Sequence, residues 1–180
     1  MKELFINKAR CCAVTGHRAL NKNFNKEGLK EVFYKLIDGG YDTFLVGMAL
    51  GFDTLCFNLL EQIRKEKSIK IIACIPCESQ AERFTKSQAE EYYRMLSVAD
   101  EKVYVNKEYT KECMQKRNEY MVNNCSVLVA YLKNDFGGTF NTVKFAKKIE
   151  IQSMCIYSRH PEVSHFMGVF IALILHMVPE

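Results

Sequence analysis

Six short runs of apolar residues, separated by longer amphipathic stretches, constrain this chain more than any other feature. They fall at 11–15, 43–47, 70–75, 102–105, 125–132 and 151–157. Most are continuous rather than alternating, as in "CCAV" and "IIACI". A strand with one wet face alternates apolar and polar residues; a strand covered on both faces has no need to. Between the runs, apolar residues return at helical spacing: Leu29, Val32, Phe33 and Leu36 within 27–37, and Leu55, Leu59, Leu60 and Ile63 within 54–65. Helices are also expected over 88–98, 111–122 and 141–149, and "DGGY" at 38–41 is a helix stop. This alternation predicts an α/β fold, a doubly wound and mostly parallel sheet flanked by helices.

At 180 residues, 48% apolar and 26% charged, the chain suits one domain spanning 1–180, with its core at about 9–158. The apolar stretch at 163–178 is expected to form an extra C-terminal helix. It is shorter than the roughly 20 residues a membrane span needs, so it should pack on the domain or on a second copy. A homo-oligomer is therefore expected, and membrane insertion is not. A formal charge of +4 is too mild to predict nucleic-acid binding. "MKELFINKAR" lacks a long apolar segment and a small-residue cleavage site, so a secretory signal is not expected. The eight cysteines, several inside apolar runs, then read as reduced, buried thiols of a cytoplasmic protein. "CIPC" at 74–77 ends an apolar run instead of opening a helix and has no companion pair, so no metal site is expected.

In doubly wound folds ligands bind beyond the carboxyl ends of the strands. Three of the turns expected there share a character. Thr15, Gly16, His17 and Arg18 follow the first run. "GMALGFDT", with Gly47, Gly51 and Asp53, follows the second. "NDFGGTFNT", with Gly137, Gly138 and Thr139, follows the fifth, and Thr139 and Thr142 add hydroxyls. Glycines at a helix start let a ligand approach the backbone, whose free N–H groups and dipole favour an anion. On a helix over 111–122, Met114, Arg117, Asn118 and Met121 share one face. An arginine on an inward face must be paired, with Asp53 or Asp135 for example, or must clamp a phosphate or carboxylate. The spacing is neither GxGxxG nor GxxxxGK[ST], which argues against a standard dehydrogenase and a P-loop ATPase.

TGHR, GMALGFDT, "PCESQAERF", "YRMLSVAD", "RNEYMV" and "FGGTFNTVKFA", in that order from about 11 to 157, resemble the YpsA-like family of the SLOG superfamily, which takes its name from the DprA (Smf) and LOG proteins. The resemblance implies a Rossmann-like sheet and a nucleotide or nucleotide-derived ligand, AMP-, NAD- or ADP-ribose-like, at the glycine-rich edge. It places the pocket on Thr15, Gly16, His17, Arg18, Gly47, Ala49, Gly51, Asp53, Arg117, Asn118, Gly137, Gly138, Thr139, Asn141 and Thr142, with Gln80 and Arg83 at its mouth. It does not imply catalysis. LOG-type phosphoribohydrolases carry PGGxGTxxE, and Thr142 stands here where their glutamate would be. The expected function is binding or sensing of a nucleotide-type phosphate. The alternatives are a nucleotide N-glycosidic hydrolase, with Asp53, Glu78, Glu82 or Asp135 as substitute carboxylate, and DprA-like single-stranded DNA binding through Lys144, Lys147, Lys148, Tyr92 and Tyr93.

Overall fold

Each apolar run becomes a strand of one sheet in the computed structural model, which describes residues 5–157. The strands are β1 (Cys11–Gly16), β2 (Thr43–Val46), β3 (Lys70–Ile75), β4 (Glu101–Tyr104), β5 (Val127–Leu132) and β6 (Gln152–Tyr157). Every pairing is parallel, in the order β4-β3-β2-β1-β5-β6. The helices are α1 (Lys26–Asp38), α2 (Phe52–Ile63), α3 (Lys86–Val98), α4 (Cys113–Asn123) and α5 (Gly138–Lys148). The fold is the doubly wound α/β architecture expected.

The burial pattern explains the continuous apolar runs. Cys12 and Val14 of β1 pack with Leu29, Phe33, Phe57, Leu60 and Met95 of α1, α2 and α3. Cys11 and Ala13, pointing the other way, pack with Met121, Val122, Val143 and Ala146 of α4 and α5. Both faces of the central strands are covered, so neither tolerates polar residues. The edge strand β4 is mostly exposed. Its placement one residue earlier than its apolar run follows from pairing with β3, Ile72 opposite Glu101, and not from hydrophobicity.

The helix starts also differ from expectation. α2 begins at Phe52 and α5 at Gly138, each directly after a glycine cap, because the glycine turns are part of the helix entry. β5 begins at Val127; Cys125 is buried just before it. Cys11, Cys12, Cys56, Cys74, Cys77 and Cys113 are buried thiols as well. Burial pushes the Cys74 and Cys125 thiols up to about 12, which keeps them protonated and unreactive. Among the described residues no helix is long and apolar enough to cross a membrane. The helix expected at 163–178 lies outside them, and with it the argument for self-association.

The chain starts in the middle of the sheet, winds outward through β2, β3 and β4, then returns to add β5 on the other side of β1. The order therefore reverses between β1 and β5. Beyond their carboxyl ends the following turns diverge to opposite faces and leave a crevice, the place where such sheets bind ligands.

Candidate functional site

The turn after β1 is held by aromatic packing. Tyr131, opposite Gly16 on β5, stacks on Phe52 at 5.6 Å and meets Phe24 edge to face at 4.9 Å. A Cβ on Gly16 would run into the Phe52 ring, so glycine there lets the first residue of α2 dock over the strand end. The His17 N–H donates to the Tyr131 carbonyl at 3.3 Å, and the Phe52 N–H donates to the His17 carbonyl at 3.2 Å. The backbone of His17 thus joins β1, β5 and α2, which fixes where its imidazole sits.

A cavity of about 260 Å³ opens at this crevice. Of the residues expected from the sequence, Thr15, Gly16, His17, Arg18, Ala49, Asp53, Arg117, Asn118, Gly138 and Thr139 line it, as does Gln80. Gly47, Gly51, Gly137, Asn141, Thr142 and Arg83 do not stand on its wall. Gly47 lies behind the wall: a Cβ there would run into the Arg117 guanidinium and stand 2.8 Å from Asp53 Oδ2. Gly51, at φ +82°, would meet the backbone of Arg18. The Thr142 hydroxyl donates to the Gly138 carbonyl at 2.7 Å, so its proton serves the helix. Asn141 is exposed on α5. Glu78, Glu82 and Asp135 are exposed and off the wall, which leaves Asp53 as the one expected carboxylate on it. Leu50, Phe84 and Met114 complete the lining without having been singled out as site residues. Only Met114 carried a signal, its helical spacing with Arg117.

The polar groups of this wall are unusual. Arg117 is 5% exposed. Its Nε donates to Asn118 Oδ1 at 2.8 Å, while its Nη1 is buried with no hydrogen-bond partner. His17 Nε2 and Gln80 Oε1 are likewise buried and unpartnered, although Gln80 Nε2 donates to the Met48 carbonyl at 2.8 Å. Among the described residues only one other buried side-chain polar atom, Thr110 Oγ1, lacks a partner. Native proteins satisfy nearly all such groups, so three on one cavity wall require a physical reason.

The charges follow from burial. Asp53 sits in the first turn of α2 and accepts from the Ala49 N–H at 3.2 Å. Burial pushes its carboxyl up to about 6, against the downward pull of Arg117, the Ala49 N–H and Arg18. Burial also lowers the Arg117 pKa, with Asp53 opposing, but a guanidinium keeps its proton at any ordinary pH. Desolvation, then the Lys133 charge, holds the His17 imidazole below its usual range, so it is neutral at pH 7. Gly137 caps α5 with no side-chain hydrogen bond, and Gly138 and Thr139 carry the helix's positive end to the wall. The arrangement offers an anion a buried guanidinium, an exposed one on Arg18 and a helix N-terminus. Among the described residues no cluster of three His, Cys, Asp or Glu could hold a metal ion.

Comparison with known proteins agrees with this fold. The profile of the YspA SLOG family matches residues 12–158. The uncharacterized SPbeta prophage-derived protein YoqJ of Bacillus subtilis (strain 168) is 31% identical, over 69% of this chain and 84% of that protein. Among solved structures, DNA processing protein A (DprA) of Streptococcus pneumoniae superposes with a TM-score of 0.63 at 17% identity, over 88% of this chain and 54% of that one. DprA of Helicobacter pylori, whose structure concerns single-stranded DNA binding, gives 0.61 at 16% identity, over 86% and 68%. At these identities the structural matches speak for the fold, and this chain spans about half the length of the pneumococcal protein.

Proposed function

The chain belongs to the YspA SLOG family, and we propose that it binds a nucleotide-type phosphate in the cavity between β1 and β5. One observation carries the reading: His17, Gln80 and Arg117, each with a buried polar atom that has no partner in the protein, are residues of the same cavity wall. A buried guanidinium with one nitrogen lacking a hydrogen bond is stabilised by an anion that reaches it. Phosphate oxygens suit its planar fork and the bare α5 N-terminus together. Gln80 Oε1 can only accept, so the ligand also brings a donor, as a ribose hydroxyl does.

The test is thermal unfolding with AMP, ADP-ribose, ribose 5-phosphate and inorganic phosphate, on wild type and Arg117→Met. A ligand at a hundred times its dissociation constant adds about 2.7 kcal/mol, a rise of about 5–10 °C for a chain this size. The methionine variant is expected to lose the ligand response; any fall in its own melting temperature reflects Asp53 losing the guanidinium that opposes its burial. Absence of any response in wild type, or an undiminished response in the variant, would overturn the reading.

A second reading is N-glycosidic hydrolysis of the bound nucleotide. It is favoured by Asp53, a carboxyl on the cavity wall raised to about 6 and so suited to pass a proton near neutrality. Release of free base from AMP, lost in Asp53→Asn, would support it. Of the residues named for the single-stranded DNA alternative, Tyr92 is buried, and Tyr93 on α3 lies across the sheet from Lys144, Lys147 and Lys148 on α5, while the likeness to a DprA whose structure concerns single-stranded DNA binding is compatible with that alternative.

A further inference from the structure

We propose that the apolar segment at 163–178 turns back across β6 on the α1 side of the sheet and covers it within the same chain. No residue of β6 lines the anion cavity, so neither reading needs the other. The two sides of the sheet are covered unequally. On one, α4 and α5 pack with Val143 and Ala146 buried, and α5 carries the chain from β5 to β6. On the other, α1, α2 and α3 carry the chain from β1 to β4 and lie over those strands. Among the described residues no helix is left for β6 on that side, although parallel sheets are ordinarily covered on both.

β5 is closed there at Val127, Val129 and Tyr131, with Phe24 standing against Tyr131. β6 is not closed: Met154 and Ile156 pack on the same core but stay half-buried, and Gln152 is exposed. Val32 borders this strip from α1. It is half-buried and stands about 200° around the helix from Tyr34, which faces the α2 end and donates to Glu66 at 3.3 Å. The chain itself supplies a cover. β6 ends at Tyr157, and 158–180 follow, outside the described residues. Positions 163–178 hold no Asp, Glu, Lys or Arg. Pro161 and Glu162 just before them are helix-start signals, and 158–162 is an ordinary connection length. A helix over 163–178 would span about 24 Å against about 20 Å for β6, so one helix antiparallel to β6 covers its length. That is the direction in which α1, α2 and α3 return along the sheet.

Hydrogen–deuterium exchange of the full chain, wild type and Leu173→Asp, tests this, followed at β6 and at β4, the opposite edge strand. The aspartate puts a charge in the middle of the apolar segment. In wild type β6 is expected to exchange roughly tenfold more slowly than in Leu173→Asp, with β4 the same in both. The protection is expected to survive a roughly hundredfold dilution, because a cover from the same chain does not depend on concentration. Protection lost on dilution overturns the cover in cis and gives the face to a second copy. Equal exchange of β6 in the two proteins overturns it as well and places the segment elsewhere, on a membrane for example. Equal loosening of β4 and β6 also overturns it, since the segment then supports no one face. If Leu173→Asp does not fold, Val32→Glu, a charge on the facing strip, is expected to speed exchange of β6 in the same way, and an unchanged rate there overturns the placement.

Discussion

The two glycine-rich turns at the sheet edge are alike in sequence and opposite in environment. At 47–51, protein atoms occupy the space that a side chain would need. Arg117 and Asp53 press against Gly47, and the Arg18 backbone presses against Gly51. At 137–138, nothing lies within 4 Å of either position where a Cβ would stand. Glycine in the first turn lets the protein close on itself around a buried charge. Glycine in the second keeps an approach open to the cavity. A glycine-rich turn announces close approach, and only the surroundings say by what.

That contrast can be broken most forcefully at Gly51. Its φ of +82° disfavours any side chain, and a methyl would overlap the Arg18 backbone, which cannot swing away. Gly51→Ala is expected to lose about 3 kcal/mol or more, read as a fall in melting temperature of about 6–12 °C. A variant that melts like wild type would mean that the 47–51 turn is as open as the other.

Titration sharpens the contrast next, because only the first turn holds a buried acid. Asp53 binds its proton more tightly folded than unfolded, since burial raises it from 3.8 to about 6. Its share of stability is therefore complete below about pH 4 and lost as pH rises through about 6. Between pH 4 and 7, wild type should lose about 2–3 kcal/mol relative to Asp53→Asn in denaturant unfolding. A flat difference would show the carboxylate ionised without penalty, directly paired with Arg117.

The smallest effect on stability is expected at Gly138, in the open turn. Gly138→Ala meets nothing and adds a better helix former, so stability should hold or rise by less than about 1 kcal/mol. The proposed anion site predicts that the melting shift with AMP shrinks, because the methyl would stand between that anion and the α5 backbone. A lost fold with an intact ligand response would reverse the roles assigned to the two turns.

Much of this was legible beforehand for physical reasons. Strands covered on both faces leave continuous apolar runs, and β1, β3 and β5 did. The edge strand β4 did not mark its own register, because its exposed side chains carry no burial signal. The helical spacing of Arg117, Asn118 and Met121 put them on one inward face, where the structure buries all three. Phe84 and Leu50 were invisible as site residues, since an apolar residue in a loop reads the same whether it meets core or cavity. Thr142 was misleading in the other direction. Its hydroxyl looked like a donor toward the cavity, but on a helix it reaches the Gly138 carbonyl one turn back.

The sequence by itself determined a parallel sheet with glycine turns and a histidine–arginine pair gathered at its carboxyl edge, because hydrophobic periodicity and turn chemistry are local properties of the chain. Only the tertiary structure decided that Arg117 arrives beneath Gly47 with one nitrogen unpartnered, beside His17 and Gln80. Which glycine is filled and which stays open was settled there as well. Those outcomes depend on side chains far apart in sequence competing for the same few cubic ångströms, and nothing short of packing the whole domain resolves that competition.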